Sequence, residues 1–273
     1  MKLRSFILYS LLISVGCASG GVSLRLSLEG CEAAPYDLAY REASSTEREL
    51  ADRVRQEARR IAAGGPDTRA EDDLLAEIEP WTAEPGKAEI EPDGNALRVA
   101  LSIPRSNGDA SGADRSALLR GELDSQGNVL SFFLPTSQKN VLSLLFQLPD
   151  RIVRVGESWE LPVSLTALGN GYYSEDPRRF ARAKLSEIRA NASGGPVARL
   201  VYVVDEDVAG TLQLDLDDEP ETFRFRASYV GAGSFDVESG CWAEYVGYLA
   251  LMTSGPVAAP ADTIYALRPG NGR

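Results

Sequence analysis

From Phe180 onward the chain is a series of short apolar stretches, each closed by a turn. They run Phe180 to Arg189, Val197 to Asp205, Gly210 to Asp217, Thr222 to Tyr229, Ser234 to Val237 and Cys241 to Met252, the last being the longest. Gly194-Gly195-Pro196 and Gly231-Ala232-Gly233 punctuate them. Strands following one another with short turns, and few helices between them, favour an antiparallel meander over βαβ units. The expected fold is therefore mainly β (α+β): a curved antiparallel sheet or half-barrel meander with two or three short helices.

The first half supplies those helices. Thr46-Glu47-Arg48-Glu49 reads as a capping box, and Leu50, Val54, Ala58 and Ile61 then fall on one helical face. Gly64-Gly65-Pro66 ends that helix, and a shorter one is expected between Thr68 and Glu79. Ser137 to Gln147 makes a third, with Val141, Leu142, Leu145 and Phe146 inward. Strands are expected at Val22 to Leu28, where apolar and polar residues alternate, and at Tyr36 to Arg41. Lys87 to Glu91 and Asn95 to Ser102 flank a turn at Pro92-Asp93-Gly94, and Ala117 to Asp124 pairs with Asn128 to Pro135. Domain organisation follows: a removable segment over 1–16, one β-rich domain over 17–254 with a sub-boundary near 104–116, and a flexible Pro/Gly-rich tail over 255–273.

Residues 1–16 have the order of a secretory signal peptide: a cationic start with Lys2 and Arg4, an apolar run from Phe6 to Val15, then small residues. A run of about ten residues is too short to span a bilayer, which needs about twenty. Ser14-Val15-Gly16-Cys17 resembles the lipobox of bacterial lipoproteins, with Ser14 departing from the usual leucine. The resemblance implies acylation of Cys17 and, with a neutral Ala18 after it, an outer-membrane location facing the periplasm or cell surface. The alternative is cleavage near Ala18 or Ser19, giving a secreted soluble protein. Acyl chains at about 0.8 kcal/mol per buried CH₂ anchor durably without a spanning helix.

Of the three cysteines, an acylated Cys17 leaves Cys31 and Cys241 as a pair in an oxidising compartment. Their disulfide would close almost the whole chain into one loop, worth up to about 5 kcal/mol by loop entropy. The other reading is two buried thiols. Removing Lys2 and Arg4 takes the formal charge from -12 to -14. Such a chain repels phosphate backbones, so no nucleic acid is expected as a partner, and membrane attachment falls to Cys17.

The 273 residues include no histidine. A Ser-His-Asp triad, a Cys-His pair and a histidine-ligated zinc are thereby excluded. Gly156-Glu157-Ser158-Trp159 does not complete a nucleophile elbow, and reads as a turn before a core-plugging tryptophan. Asp205-Glu206-Asp207 and Asp215, Asp217, Asp218 and Glu219 lack the spacing of a calcium loop, and alternation places Asp215 and Asp217 on a polar sheet face. Carboxylates about 5 to 10 Å apart can hydrolyse a sugar bond, but with 40 acidic residues the sequence singles out no such pair. No enzyme activity, cofactor or metal is expected.

The more specific candidates are aromatic: Tyr172, Tyr173, Phe223, Phe225, Tyr229 and Trp242. In Phe223-Arg224-Phe225-Arg226 the rings share one face of a strand and the arginines the other. Ordinary sheet core is one reading. The other is the lining of a groove for an apolar ligand, with Tyr172 and Tyr173 on a loop at its mouth.

Leu148 to Trp159 and Gly231 to Gly240 carry a further resemblance. They match a Leu-Pro-x-x-x-Val-x-Val-Gly-Asp/Glu-Ser-Trp segment and a Gly-x-Gly-x-Phe-Asp-x-x-x-Gly piece found in a family of uncharacterised bacterial lipoproteins. The likeness covers residues 117 to 252, and the helices at 45–79 depart from it. It implies a β-rich periplasmic domain and brings no activity. More loosely, the element order resembles the periplasmic lipoprotein carriers and receptors, whose curved sheet and helices enclose an apolar pocket. Two functions are therefore expected in turn: a non-enzymatic module binding an apolar ligand, or a structural or assembly subunit of an envelope protein complex.

Overall fold

The computed structural model describes residues 21–27, 35–65, 70–81, 84–104, 115–167, 172–213, 219–256 and 261–270. Ten strands form one antiparallel sheet in the order β4-β3-β2-β1-β10-β9-β8-β7-β6-β5. They are β1 (Tyr36–Glu42), β2 (Gly86–Asp93), β3 (Ala96–Pro104), β4 (Arg115–Leu123), β5 (Ser158–Glu160), β6 (Tyr172–Ala190), β7 (Pro196–Leu212), β8 (Glu221–Asp236), β9 (Cys241–Ser254) and β10 (Thr263–Pro269). The order is a meander cut at one point: β1 pairs with β10 along its whole length, from Tyr36 opposite Pro269 to Glu42 opposite Thr263. β4 and β5 are the two edges, so the sheet does not close.

Four helices accompany it: α1 (Ser45–Arg48), α2 (Ala51–Ala62), α3 (Ala70–Ala76) and α4 (Thr136–Phe146). Two apolar layers result. On the convex face Val54 and Ala58 of α2 and Leu74 and Leu75 of α3 pack on Val203, Val230 and Ala250. On the concave face α4 is buried at every residue from Asn140 to Phe146. It packs against Leu101 and Leu119 of one wing and Leu185, Leu200 and Tyr202 of the other. The C-terminal half of α4, Val141 to Phe146, is apolar at all but Ser143, and the curvature of the sheet provides the inside it needs.

Several expectations change. Gly231 and Gly233 do not separate strands; both lie within the 16-residue β8. A Cβ at Gly233 would meet the rings of Trp242 and Tyr245 at 2.6 and 2.8 Å. These glycines make room for aromatics lying across the strand. Likewise Asp205-Glu206-Asp207 does not end a strand but sits inside the 17-residue β7. Tyr172 and Tyr173 are on β6, the longest strand, and not on a loop. The expected flexible tail contains β10, whose Ile264, Tyr265, Ala266 and Leu267 are buried. Near the expected sub-boundary, β3 and β4 pair directly, so one sheet runs across it.

Smaller differences have local causes. The capping box is Ser44 with Glu47, two residues earlier than expected, because Ser44 Oγ accepts from Glu47 N and the Glu47 carboxylate accepts from Ser44 N. Val22 makes one bridge, to Val153, and the segment around it is otherwise irregular, with Leu24 and Leu26 buried. The partner expected for β4 is reduced to a bridge between Leu123 and Val129 and a bond from Leu130 N to Glu122 O, 2.8 Å. Cys17, Cys31, Asp215, Asp217 and Asp218 lie outside the described residues.

Candidate functional site

The six candidate aromatics divide by position. Tyr229 and Trp242 are fully buried beneath α4. Trp242 packs edge-on to Tyr245 and Phe235, with centroids 5.2 and 5.4 Å away. Tyr229 meets Tyr265 at 5.9 Å. Phe223 and Phe225 are buried on the same face of β8, while Arg224 and Arg226 point the other way and pair with Asp207. Phe223 forms a T-shaped pair with Tyr172 at 5.2 Å, in a small cluster with Val208 and Leu212. Tyr173 is exposed. Tyr172 and Phe223 belong to one cluster and Tyr229 and Trp242 to another, so the described residues do not bring the six together.

Hydrogen bonds fix α4 there. Tyr245 Oη donates to Leu144 O (2.7 Å) and Tyr202 Oη to Gln147 O (2.8 Å). Asn140 Nδ2 donates to Ser164 O (2.8 Å), and Ser164 N donates back to Asn140 Oδ1 (3.0 Å). Burial holds the phenols of Tyr202, Tyr229 and Tyr245 far above their ordinary range, so they remain neutral donors.

The acidic run has partners on both sheet faces. Asp205 accepts from Ser228 Oγ and from Arg178, each at 3.0 Å. Glu206, buried on the opposite face, accepts from Thr166 N (2.8 Å) and Oγ1 (2.6 Å), pinning the segment after β5 to β7. Successive strand residues point apart, so Glu206 faces away from Asp205 and Asp207, whose carboxylates pair with arginines on the other face. Gly156 has φ +93°, and Trp159 packs against the core at the short β5, as expected of a turn and a plug. A groove of about 220 Å³ lies between α2 and β6, with Ile61, Phe180 and Val203 among its apolar lining and Arg60, Arg182 and Lys184 among its charged residues.

The surface carries a feature that sequence reasoning missed. Phe132 and Phe133, between β4 and α4, are 81% and 94% exposed, and nearby Leu130 is 51% exposed. The two rings pack against each other edge-on at 5.4 Å. Their loop is held from both sides: Ser131 Oγ accepts from Glu122 N (2.8 Å), Lys139 Nζ donates to Phe132 O (3.1 Å), and Leu134 packs against the core. The Lys139 ammonium also lies 5.8 Å from the Phe132 ring centroid. Val129-Leu130-Ser131-Phe132-Phe133-Leu134 reads as a strand by composition, and a strand expectation hides the exposure of its rings.

Cys241 is disulfide-bonded, and its partner lies outside the described residues. Ser27 N donates to Gly240 O at 3.1 Å, which brings the N-terminal segment to the residue before Cys241. The chain matches no family model, no curated protein and no solved structure.

Proposed function

We propose that this chain is a non-enzymatic, lipid-anchored module of a bacterial envelope that works by docking protein, as a structural or assembly subunit. The observation that carries the reading is the Phe132–Phe133 pair. Burying either ring against a partner removes apolar area from water at about 25 cal/mol per Å², and the braced loop leaves little entropy to lose. Aromatic anchors of this kind are where binding energy concentrates. The apolar-ligand reading draws less support, since α4 is buried against Tyr229 and Trp242 on that face. A photo-crosslinking residue at 133, introduced into the exported chain in its own cells, tests the proposal. One adduct of defined mass, abolished by Phe132→Ala on the same chain, is expected. A labelled chain that remains uncrosslinked, or crosslinks only to lipid, overturns it.

A further inference from the structure

The loop after α4 carries exposed aliphatic side chains beside the first described segment. Between Asp150 and Gly156, Val153 turns inward and is fully buried. Arg151, Ile152, Arg154 and Val155 are exposed, the two aliphatics by 65% and 54%. The loop is held to the first described segment by two backbone hydrogen bonds, Val22 N to Val153 O (2.7 Å) and Val153 N to Val22 O (2.9 Å). Gly21 packs so closely that a Cβ there would lie 2.5 Å from Ile152 Cγ2. Gly21 is four residue steps from Cys17, a reach of at most about 14 Å even fully extended.

We propose that this loop is the face the domain presents to the bilayer, with Ile152 and Val155 entering the interface and Arg154 meeting lipid phosphates; the proposal rests on acylation of Cys17. A tether that short holds the surface around Gly21 against the headgroups, so whatever is exposed there is at the membrane. Exposed aliphatics gain by leaving water, and a flanking arginine can keep its head in the phosphate layer. The local charges allow it. Glu157 Oε2 accepts from Arg151 Nη1 at 2.8 Å and from Arg154 N at 3.2 Å, so the Glu157 charge is already paired with Arg151. The rest of the acidic domain would be held away from an anionic surface, which orients it further.

The test uses the full exported chain with p-acetylphenylalanine at position 152, or at 133 as control, each coupled to a nitroxide. The proteins are reconstituted in vesicles of phosphatidylethanolamine and phosphatidylglycerol. Power saturation compares access of oxygen, which enters lipid, with that of a nickel chelate, which stays in water; an intact mass on the same sample reads acylation. Acylated protein whose label at 152 shifts to the lipid value, while that at 133 stays aqueous, is the expected result. Acylated protein with an aqueous label at 152 overturns the docking face and leaves the anchor standing. A label at 152 shielded from both reagents means protein contact there and also overturns it. An unacylated mass overturns the anchor reading and, with it, the docking face.

Discussion

Tyr229 and Tyr245 meet hydroxyl to hydroxyl under α4, and Tyr245 passes its proton on to Leu144 O at 2.7 Å, so Tyr229 is the donor of the pair. The space for this contact comes from two glycines paired across β8 and β9, Gly231 and Gly247. A Cβ at Gly247 would lie 2.0 Å from Tyr229 Oη, and one at Gly231 would lie 2.7 Å from both hydroxyls. Gly247→Ala should therefore overpack the interior and destabilise the domain by about 1–3 kcal/mol. Urea unfolding at neutral pH measures it, and an unchanged midpoint would mean that the tyrosine can move aside without cost.

The interior helix and the exposed loop beside it should respond oppositely to truncation. Phe146→Ala removes a fully buried ring and should cost about 3–5 kcal/mol. Phe133→Ala removes a ring already in water and should stay within about 0.5 kcal/mol of the parent. Thermal melts of the two variants give the comparison. Equal losses would contradict the placement of α4 inside the sheet.

Acid stability should report the Arg41–Glu47 pair. Hydrogen bonds from Arg41 (2.7 and 2.8 Å), with help from Ser44, pull the Glu47 carboxyl from 4.5 to about 2. A pKa depressed by folding stabilises fully above the unfolded value and is lost as pH falls through the folded one. The pair's contribution should thus be complete above about pH 4.5 and fade toward pH 2. Arg41→Met should cost about 1–3 kcal/mol at neutral pH, with the deficit shrinking across that window. A deficit independent of pH would assign the loss to packing.

The disulfide of Cys241 is expected to join Cys31, since Ser27 already touches Gly240 and only three residues lie between it and Cys31. Peptide mapping without reductant should recover that pair, and Cys241→Ala should lower stability by about 2–5 kcal/mol. Recovery of a peptide joining Cys17 to Cys241 would remove the anchor as well.

Alternation and turn residues made the sheet legible: the antiparallel meander, the hairpin at Gly94, the face shared by Val54 and Ala58 and the split between Phe223 and Arg224 all follow from local spacing. What was not legible depends on neighbours distant in sequence. Gly231 and Gly233 look like a break until Tyr245 and Trp242 are brought over them. Asp205 and Glu206 look like a loop until Ser228, Arg178 and Thr166 arrive. Thr263 to Pro269 looks like a tail because prolines and glycines surround it, and becomes a strand because β1 and β9 leave a gap of its width. The exposure of Phe132 and Phe133 was invisible for the same reason, since composition reports how apolar a residue is and not whether anything covers it.

The position of β10 also sets when the molecule can exist. Lying between β1 and β9, it joins a wing of four strands to a wing of five, and it comes last in chain order among these ten strands. Without Thr263 to Pro269 the two wings share no strand pairing among the described residues, and β1 waits for β10. A sheet built this way cannot be completed strand by strand from one edge, because its central seam needs β1 and β10 together.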